Sequence, residues 1–151
     1  MTSSRWPAER LETASYLGPG VDLPVFYGDL DTGGHVNNVT FGRFFEQGRF
    51  LAHRDAGFPS VLAEEGSVVL VARVSIDYLQ QGRFGHPLHV RTRLARVGTA
   101  SFHEEQAAWQ DGRCVALSEV TMVYARDDRP APLSEGMRAA LARLQPAVIT
   151  S

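Results

Sequence analysis

The sequence predicts an α+β domain in which one long amphipathic helix packs against an antiparallel-rich sheet. Three observations carry this reading. Apolar residues recur at helical spacing over 40–56, strand-like runs follow from residue 68 to 125, and Asp111-Gly112 between two of them is a hairpin signal. The chain has 151 residues, 44% hydrophobic and 21% charged, which fits one ordinary soluble globular domain. A domain of this size buries roughly two-thirds of its unfolded surface and needs no disulfide or metal staple.

In chain order, residues 1–20 mix polar residues with Trp6, Tyr16 and Leu17 and end at the break Gly18-Pro19-Gly20. They read as part of an N-terminal arm, residues 1–22, with one helical turn between Pro7 and Thr13; a single domain follows over 23–151. Leu23 to Tyr27 is a short apolar and aromatic run and reads as a strand. Residues 28–38 are a loop by composition, and Asn37 or Asn38 is placed to cap a helix starting just after it.

Thr40 to Ala56 reads as that helix, with Phe41, Phe44, Phe45, Gly48, Leu51 and Ala52 on one face and Arg43, Glu46, Gln47, Arg49 and Arg54 on the other. Gly57-Phe58-Pro59 stops it. Gly48 on the apolar stripe costs about 1 kcal/mol of helix propensity. Close approach to a sheet is the return, so this helix is central.

Val68 to Ala72 is continuously apolar, after which Val74, Ile76 and Tyr78 alternate with Arg73, Ser75 and Asp77. Leu88, Val90, Thr92 and Leu94 alternate with charged residues until the phase shifts at Arg96-Val97, which predicts a bulge or strand end. Ser101 to Gln110 and Arg113 to Ala125 flank the Asp111-Gly112 turn. Ser134 is placed to cap a last helix with Met137, Leu141 and Leu144 inward.

Charge and composition exclude several classes. Fifteen Lys and Arg against seventeen Asp and Glu leave −2, no field for nucleic acid. No apolar run is long enough to span a bilayer, and residues 1–20 lack a signal peptide's apolar core, so a soluble cytoplasmic protein is expected. Cys114, the only cysteine, allows no internal disulfide and reads as a small buried hydrophobe. His86, His89 and His103 lack metal-ligand spacing, so neither metal nor cofactor is expected. Arg91 and Arg93 share a strand face that either meets phosphates or is solvated.

The segment with chemistry in it is Asp29-Leu30-Asp31-Thr32-Gly33-Gly34-His35-Val36-Asn37-Asn38. Two carboxylates precede a glycine-rich turn that opens into a helix. A helix N-terminus offers unpaired N–H groups and a partial positive charge, which hold a developing oxyanion. A carboxylate facing the same carbonyl attacks it or deprotonates water. Acyl transfer or hydrolysis fits; so does a plain turn and cap, with Asp29 in a salt bridge and His35 a hydrogen-bonded loop residue.

From Phe26 to Asn38 the stretch resembles the signature of hotdog-fold acyl-CoA thioesterases of the 4-hydroxybenzoyl-CoA thioesterase-like family: an aromatic run, Asp-x-Asp, small residues, and a short entry into the long helix. Phe41, Phe44, Phe45, Glu46 and Arg49 continue the match, which covers residues 23 to 126. The resemblance implies an antiparallel sheet wrapped around one central helix. It implies hydrolysis of acyl-CoA to free acid and CoA without a cofactor, in a homodimer or homotetramer with the site between subunits. It assigns the catalytic carboxylate, nucleophile or general base, to Asp31, and the carbonyl-polarising N–H to Asn38. Gly34, His35, Val36, Asn37, Phe41 and Ser101 are assigned to substrate binding.

Where such proteins often carry basic residues for coenzyme A phosphates, this chain has Gly98-Thr99-Ala100-Ser101, with Arg96 the nearest charge. An acyl-carrier-protein donor and a non-catalytic acyl-binding domain therefore stand beside the acyl-CoA reading. A dehydratase is disfavoured because its His-Phe-Pro-Gly run is absent. Glu46, the helix glutamate, is the reserve carboxylate.

Overall fold

The structure, a computed structural model, describes residues 5–16 and 20–144. In chain order the elements are α1 (Ala8–Leu11), β1 (Val21–Leu23), α2 (Asn38–Ala56), α3 (Phe58–Glu65), β2 (Val68–Tyr78), β3 (Leu88–Val97), β4 (Ser101–Gln110), β5 (Arg113–Arg126), β6 (Arg129–Pro130) and α4 (Glu135–Ala142). The strands form one curled antiparallel sheet in the order β1-β3-β4-β5-β2, with β6 added to β5. No helix among the described residues is long and apolar enough to cross a membrane.

α2 lies against the sheet through Phe41, Phe44 and Phe45, all buried. Gly48 explains how close it comes. A Cβ there would lie 2.5 Å from Val90 Cγ1 on β3, so only glycine lets the helix seat at this depth. Asn37 caps the helix, its side chain accepting from the Val39 N–H, and Gly57 ends it in the left-handed conformation at φ 88°.

One sequence expectation needs correction here, and the structure adds one helix. Leu23–Tyr27 is not a strand: β1 is Val21–Leu23, and Tyr27–Asp29 forms a 3₁₀ turn. Pro24 has no N–H to give a ladder, and the Asp29 carboxylate takes the Phe26 N–H at 2.8 Å. The boundary drawn between residues 22 and 23 consequently falls inside β1. Gly57-Phe58-Pro59 stops one helix and starts another, because Pro59 sits in the first turn of α3, where a missing N–H costs nothing.

Elsewhere the sequence pattern is largely realised, except that Arg49, read on the polar face of α2, is buried and donates to Gln106 Oε1 at 3.0 Å. β3 shifts register against β4 between Leu94 and Arg96, beside the phase change in the sequence. Asp111 and Gly112 take φ values of 52° and 76°, the left-handed pair of a tight hairpin turn. Ser134 Oγ caps α4 by accepting the Met137 N–H at 3.0 Å, and Met137, Leu141 and Leu144 face inward.

The arm lies across the outer face of the sheet. Tyr16 is fully buried, edge-on to Trp109 with centroids 5.3 Å apart. Arg91 donates to the carbonyls of Thr13 and Tyr16 at 3.1 and 3.0 Å, and Arg93 to those of Glu9 and Ser15 at 3.2 and 2.9 Å. These arginines neither wait for a phosphate nor point into solvent; they grip the arm. Of the predicted break at the arm's end, Gly18 and Pro19 lie outside the described residues, as does Leu17 before it.

Candidate active site

The Asp31 turn is a small hairpin. Leu30 pairs with Val36, the Asp31 N–H donates to the His35 carbonyl at 2.7 Å, and the Gly34 N–H donates to the Asp31 carbonyl at 3.1 Å. Gly34 sits at φ 81°, a conformation that favours glycine. Inside this turn, Asp31 Oδ1 accepts from the Gly33 N–H at 2.8 Å and the His35 N–H at 3.1 Å. Both bonds fall on the same oxygen. Oδ2 has no hydrogen-bond partner among the described residues, and Asp31 is exposed.

The turn feeds directly into α2. Asn37 Oδ1 accepts the Val39 N–H at 3.1 Å and the Asn37 carbonyl accepts the Thr40 N–H at 2.9 Å. The Asn38 N–H meets no acceptor among the described residues. It is one of the orphan donors at a helix start, where the partial positive charge concentrates. From the edge strand β2, the Tyr78 hydroxyl donates to the Asn38 carbonyl at 2.9 Å, and its ring stands edge-on to buried Phe41, centroids 5.7 Å apart.

A groove of about 460 Å³ runs between these parts, with Asp31, Val36, Asn38 and Phe41 on one side and Tyr78 to Gly82 on the other. Its two sides are stitched together. The Val36 N–H donates to the Gly82 carbonyl at 2.9 Å, and His35 forms a β-bridge with Arg83. Gly82 is pressed so closely on Val36 that a Cβ would lie 2.8 Å from Val36 Cγ2.

The structure thus gathers Asp31, Val36, Asn38 and Phe41 at the groove, with Gly34, His35 and Asn37 forming the backbone that shapes the turn and cap. Ser101 is not among them. It begins β4, whereas Gln110 at the other end of that ten-residue strand contacts Arg83 beside the Asp31 turn. At about 3.3 Å per residue the two ends lie roughly 30 Å apart in one chain. Asp29 is buried in an ion pair with Arg43, and Glu46 is exposed on α2 and does not line the groove. Sequence reasoning missed Tyr78 and Gln80 to Gly82 as groove residues. They carry no motif, and their position depends on sheet pairing more than forty residues downstream of the turn.

A curled antiparallel sheet around one long helix, with a carboxylate turn at that helix's N-terminus, is the hotdog fold of thioester hydrolases. The chain belongs to the thioesterase-like superfamily, whose family profile matches residues 25–141. It is similar to a thioesterase of Thermus thermophilus solved with coenzyme A and zinc, at 32% identity and TM-score 0.73, covering 83% of this chain and 92% of that one. It is also similar to the PA5185 protein of Pseudomonas aeruginosa PAO1, at 30% identity and TM-score 0.68, covering 91% and 96%. A thioesterase-superfamily protein of Jannaschia sp. CCS1, at 20% identity and TM-score 0.76 over 87% and 99%, shares the fold. No curated protein matches the chain.

Proposed function

We propose that this thioester hydrolase acts on acyl-CoA, releasing the free acid and the thiol of coenzyme A, with Asp31 as the acting carboxylate. The carrying observation is the asymmetry of that carboxylate: Oδ1 is held by the Gly33 and His35 N–H groups while Oδ2 is unengaged among the described residues, in a groove that Asn38 also lines. The Asn38 N–H donates to the thioester carbonyl oxygen, and the helix start favours the negative charge that grows there. Oδ2 either attacks the carbonyl carbon, expelling thiolate and leaving a mixed anhydride that water opens, or takes a proton from a water that attacks instead. Both routes consume one water overall, and the departing thiolate takes up a proton to give the free thiol. The coenzyme A bound to the Thermus thermophilus relative supports the choice of donor.

The same reading includes a homodimer or a larger homo-oligomer. β2 is a sheet edge, and Val68, Leu70, Val71 and Val74 on it are exposed. Tyr78 ends that strand at the groove, so a second copy paired along this edge would also wall the site.

The test is thiol release from short, long and aromatic acyl-CoAs by wild type and a folded Asp31→Asn variant. General-base loss alone predicts a fall of about 10²–10⁴-fold. No wild-type hydrolysis of any CoA ester redirects the proposal to a carrier-protein thioester or a binding role. Equal rates in both proteins remove Asp31 from the mechanism and bring forward Glu46 and His35.

A further inference from the structure

The groove's far side, from Gln80 to Gly82, belongs to no strand, and the segment that continues it to His86 would be free to move unless something outside it fixed its backbone. Beside the Gly82–Val36 and Arg83–His35 pairings, one side chain does so. Gln110, the last residue of β4, is 4% exposed, and among the described residues all of its side-chain hydrogen bonds go to this segment. Its Oε1 accepts the Arg83 N–H at 2.8 Å, and its Nε2 donates to the Arg83 carbonyl at 2.8 Å and to the His86 carbonyl at 2.9 Å. The carboxamide satisfies both the N–H and the C=O of Arg83, as a residue of an adjacent antiparallel strand would. The side chain of Gln110 is a surrogate strand for a stretch that has none.

The next residue strengthens the bracket from outside. Asp111, at the hairpin tip, takes the Arg83 guanidinium at 2.6 Å and His86 Nδ1 at 2.9 Å, in exposed and therefore weaker pairs. The line of contact then runs on to the site. Arg83, held by Gln110, pairs with His35, whose N–H is one of the two that hold Asp31 Oδ1. Gly82, beside it, accepts the Val36 N–H.

We infer that Gln110 is a positioning residue for this groove: its carboxamide sets the backbone at Arg83, and through the Arg83–His35 and Gly82–Val36 pairings it holds the Asp31 turn opposite the start of α2. The inference rests on the proposed acyl-CoA reaction for its kinetic readout. Its structural readout is independent of that reaction.

The experiment uses Gln110→Glu in the full chain. A carboxylate there still accepts from the Arg83 N–H but faces the carbonyls of Arg83 and His86 with lone pairs, so the clamp opens. Protonation returns one donor and closes it. Against acyl-CoA, kcat is expected to fall by about 10²-fold at neutral pH, the order of loss that a misplacement near 1 Å produces, with a smaller change in KM. The variant-to-wild-type ratio of kcat should then recover as pH falls and the new carboxyl protonates. A residue that only stabilised the fold would not give that recovery at constant circular dichroism. Gln110→Met, of similar length without donor or acceptor, should show the loss without the recovery, and serves if the glutamate variant does not fold.

Amide hydrogen exchange at Val36 and Arg83 is measured alongside. Faster exchange at both positions in the variant, with the rest of the sheet unchanged, supports the inference even if wild type cleaves no CoA ester; that result would sink the proposed reaction alone. Wild-type exchange at both amides in the variant overturns the inference, as does a kcat that follows only the folded fraction across pH.

Discussion

The guanidinium of Arg43 closes on the carboxylate of Asp29 and ties α2 to the loop that enters it. Asp29 does more than pair. Its Oδ2 accepts the Phe26 N–H at 2.8 Å and its carbonyl accepts the Asn37 N–H at 2.8 Å, so one residue fastens the loop before the Asp31 turn and after it. Leu30 alone separates it from Asp31, yet the two carboxylates have opposite situations, one consumed by structure and the other half free.

Replacing Asp29 by Ala is therefore expected to cost stability and rate together. Losing the buried acceptor of the Phe26 N–H costs about 1–3 kcal/mol. Arg43 is half exposed, so its share of that figure is small. Urea unfolding measures the first effect. kcat of the folded variant measures the second, and a wild-type kcat would show that the loop holds Asp31 without this anchor.

Tyr78→Phe keeps the ring against Phe41 and removes only the bond to the Asn38 carbonyl. A net hydrogen bond contributes about 0.5–1.5 kcal/mol, so a rate loss of about tenfold or less is expected, with little change in melting temperature because the residue is half exposed. A loss beyond about 10²-fold would mean the hydroxyl touches substrate.

Gly48→Ala sets helix propensity against packing. Alanine gains about 1 kcal/mol in the helix, but its Cβ would press on Val90 Cγ1 at 2.5 Å, and overpacking costs about 1–3 kcal/mol. Net destabilisation is expected in urea melts. Pairing it with Val90→Ala should recover part of the loss; a purely additive double mutant would place the strain elsewhere.

Two groups, buried Tyr16 and half-buried Cys114, make stability fall at high pH. Burial pushes the Tyr16 hydroxyl from its ordinary 10 up to about 12, against the opposing pull of Arg10 and Arg93. The folded chain thus holds a proton the unfolded chain has released. Its contribution, about 3 kcal/mol, is fully present below pH 10 and lost as pH rises towards 12. Burial likewise raises the Cys114 thiol from 9 to about 11, with the same sign in a lower window. Urea midpoints should decline across both windows, and less steeply between pH 10 and 12 in Tyr16→Phe made on a Cys114→Ala background. At neutral pH a thiol reagent should modify Cys114 slowly in the folded chain and fast in urea.

Local signals carried most of the fold. The Phe41–Phe44–Phe45 face, the Asp111-Gly112 turn, the Ser134 cap and the demand of Gly48 for close approach are each written within a few residues. Local capture defeated the Leu23–Tyr27 strand, because the carboxylate of Asp29, three residues on, takes the Phe26 N–H and Pro24 leaves the ladder. The helix α3 went unread because Gly57, which ends α2, also stands at the start of the next helix, with Pro59 in its first turn. At the site, Asp31 and the Asn38 helix start were visible through their motif. Tyr78, Gly82 and Gln110 were not, since each reaches the turn only by sheet pairing. Arg91 and Arg93 showed a shared face but nothing to say that the arm would lie upon it.

The stitching of Val36 to Gly82 and of Arg83 to Gln110 also has a kinetic consequence. The parts of one groove come from three stretches of chain separated by long intervening sequence, so the entropy of closing those loops must be met before any of them assembles. α2 can form from local contacts well ahead of that moment. During refolding from urea, the helical signal should therefore return first, and the ability to turn over substrate only with the long-range sheet, in a phase that slows with the last strand to pair.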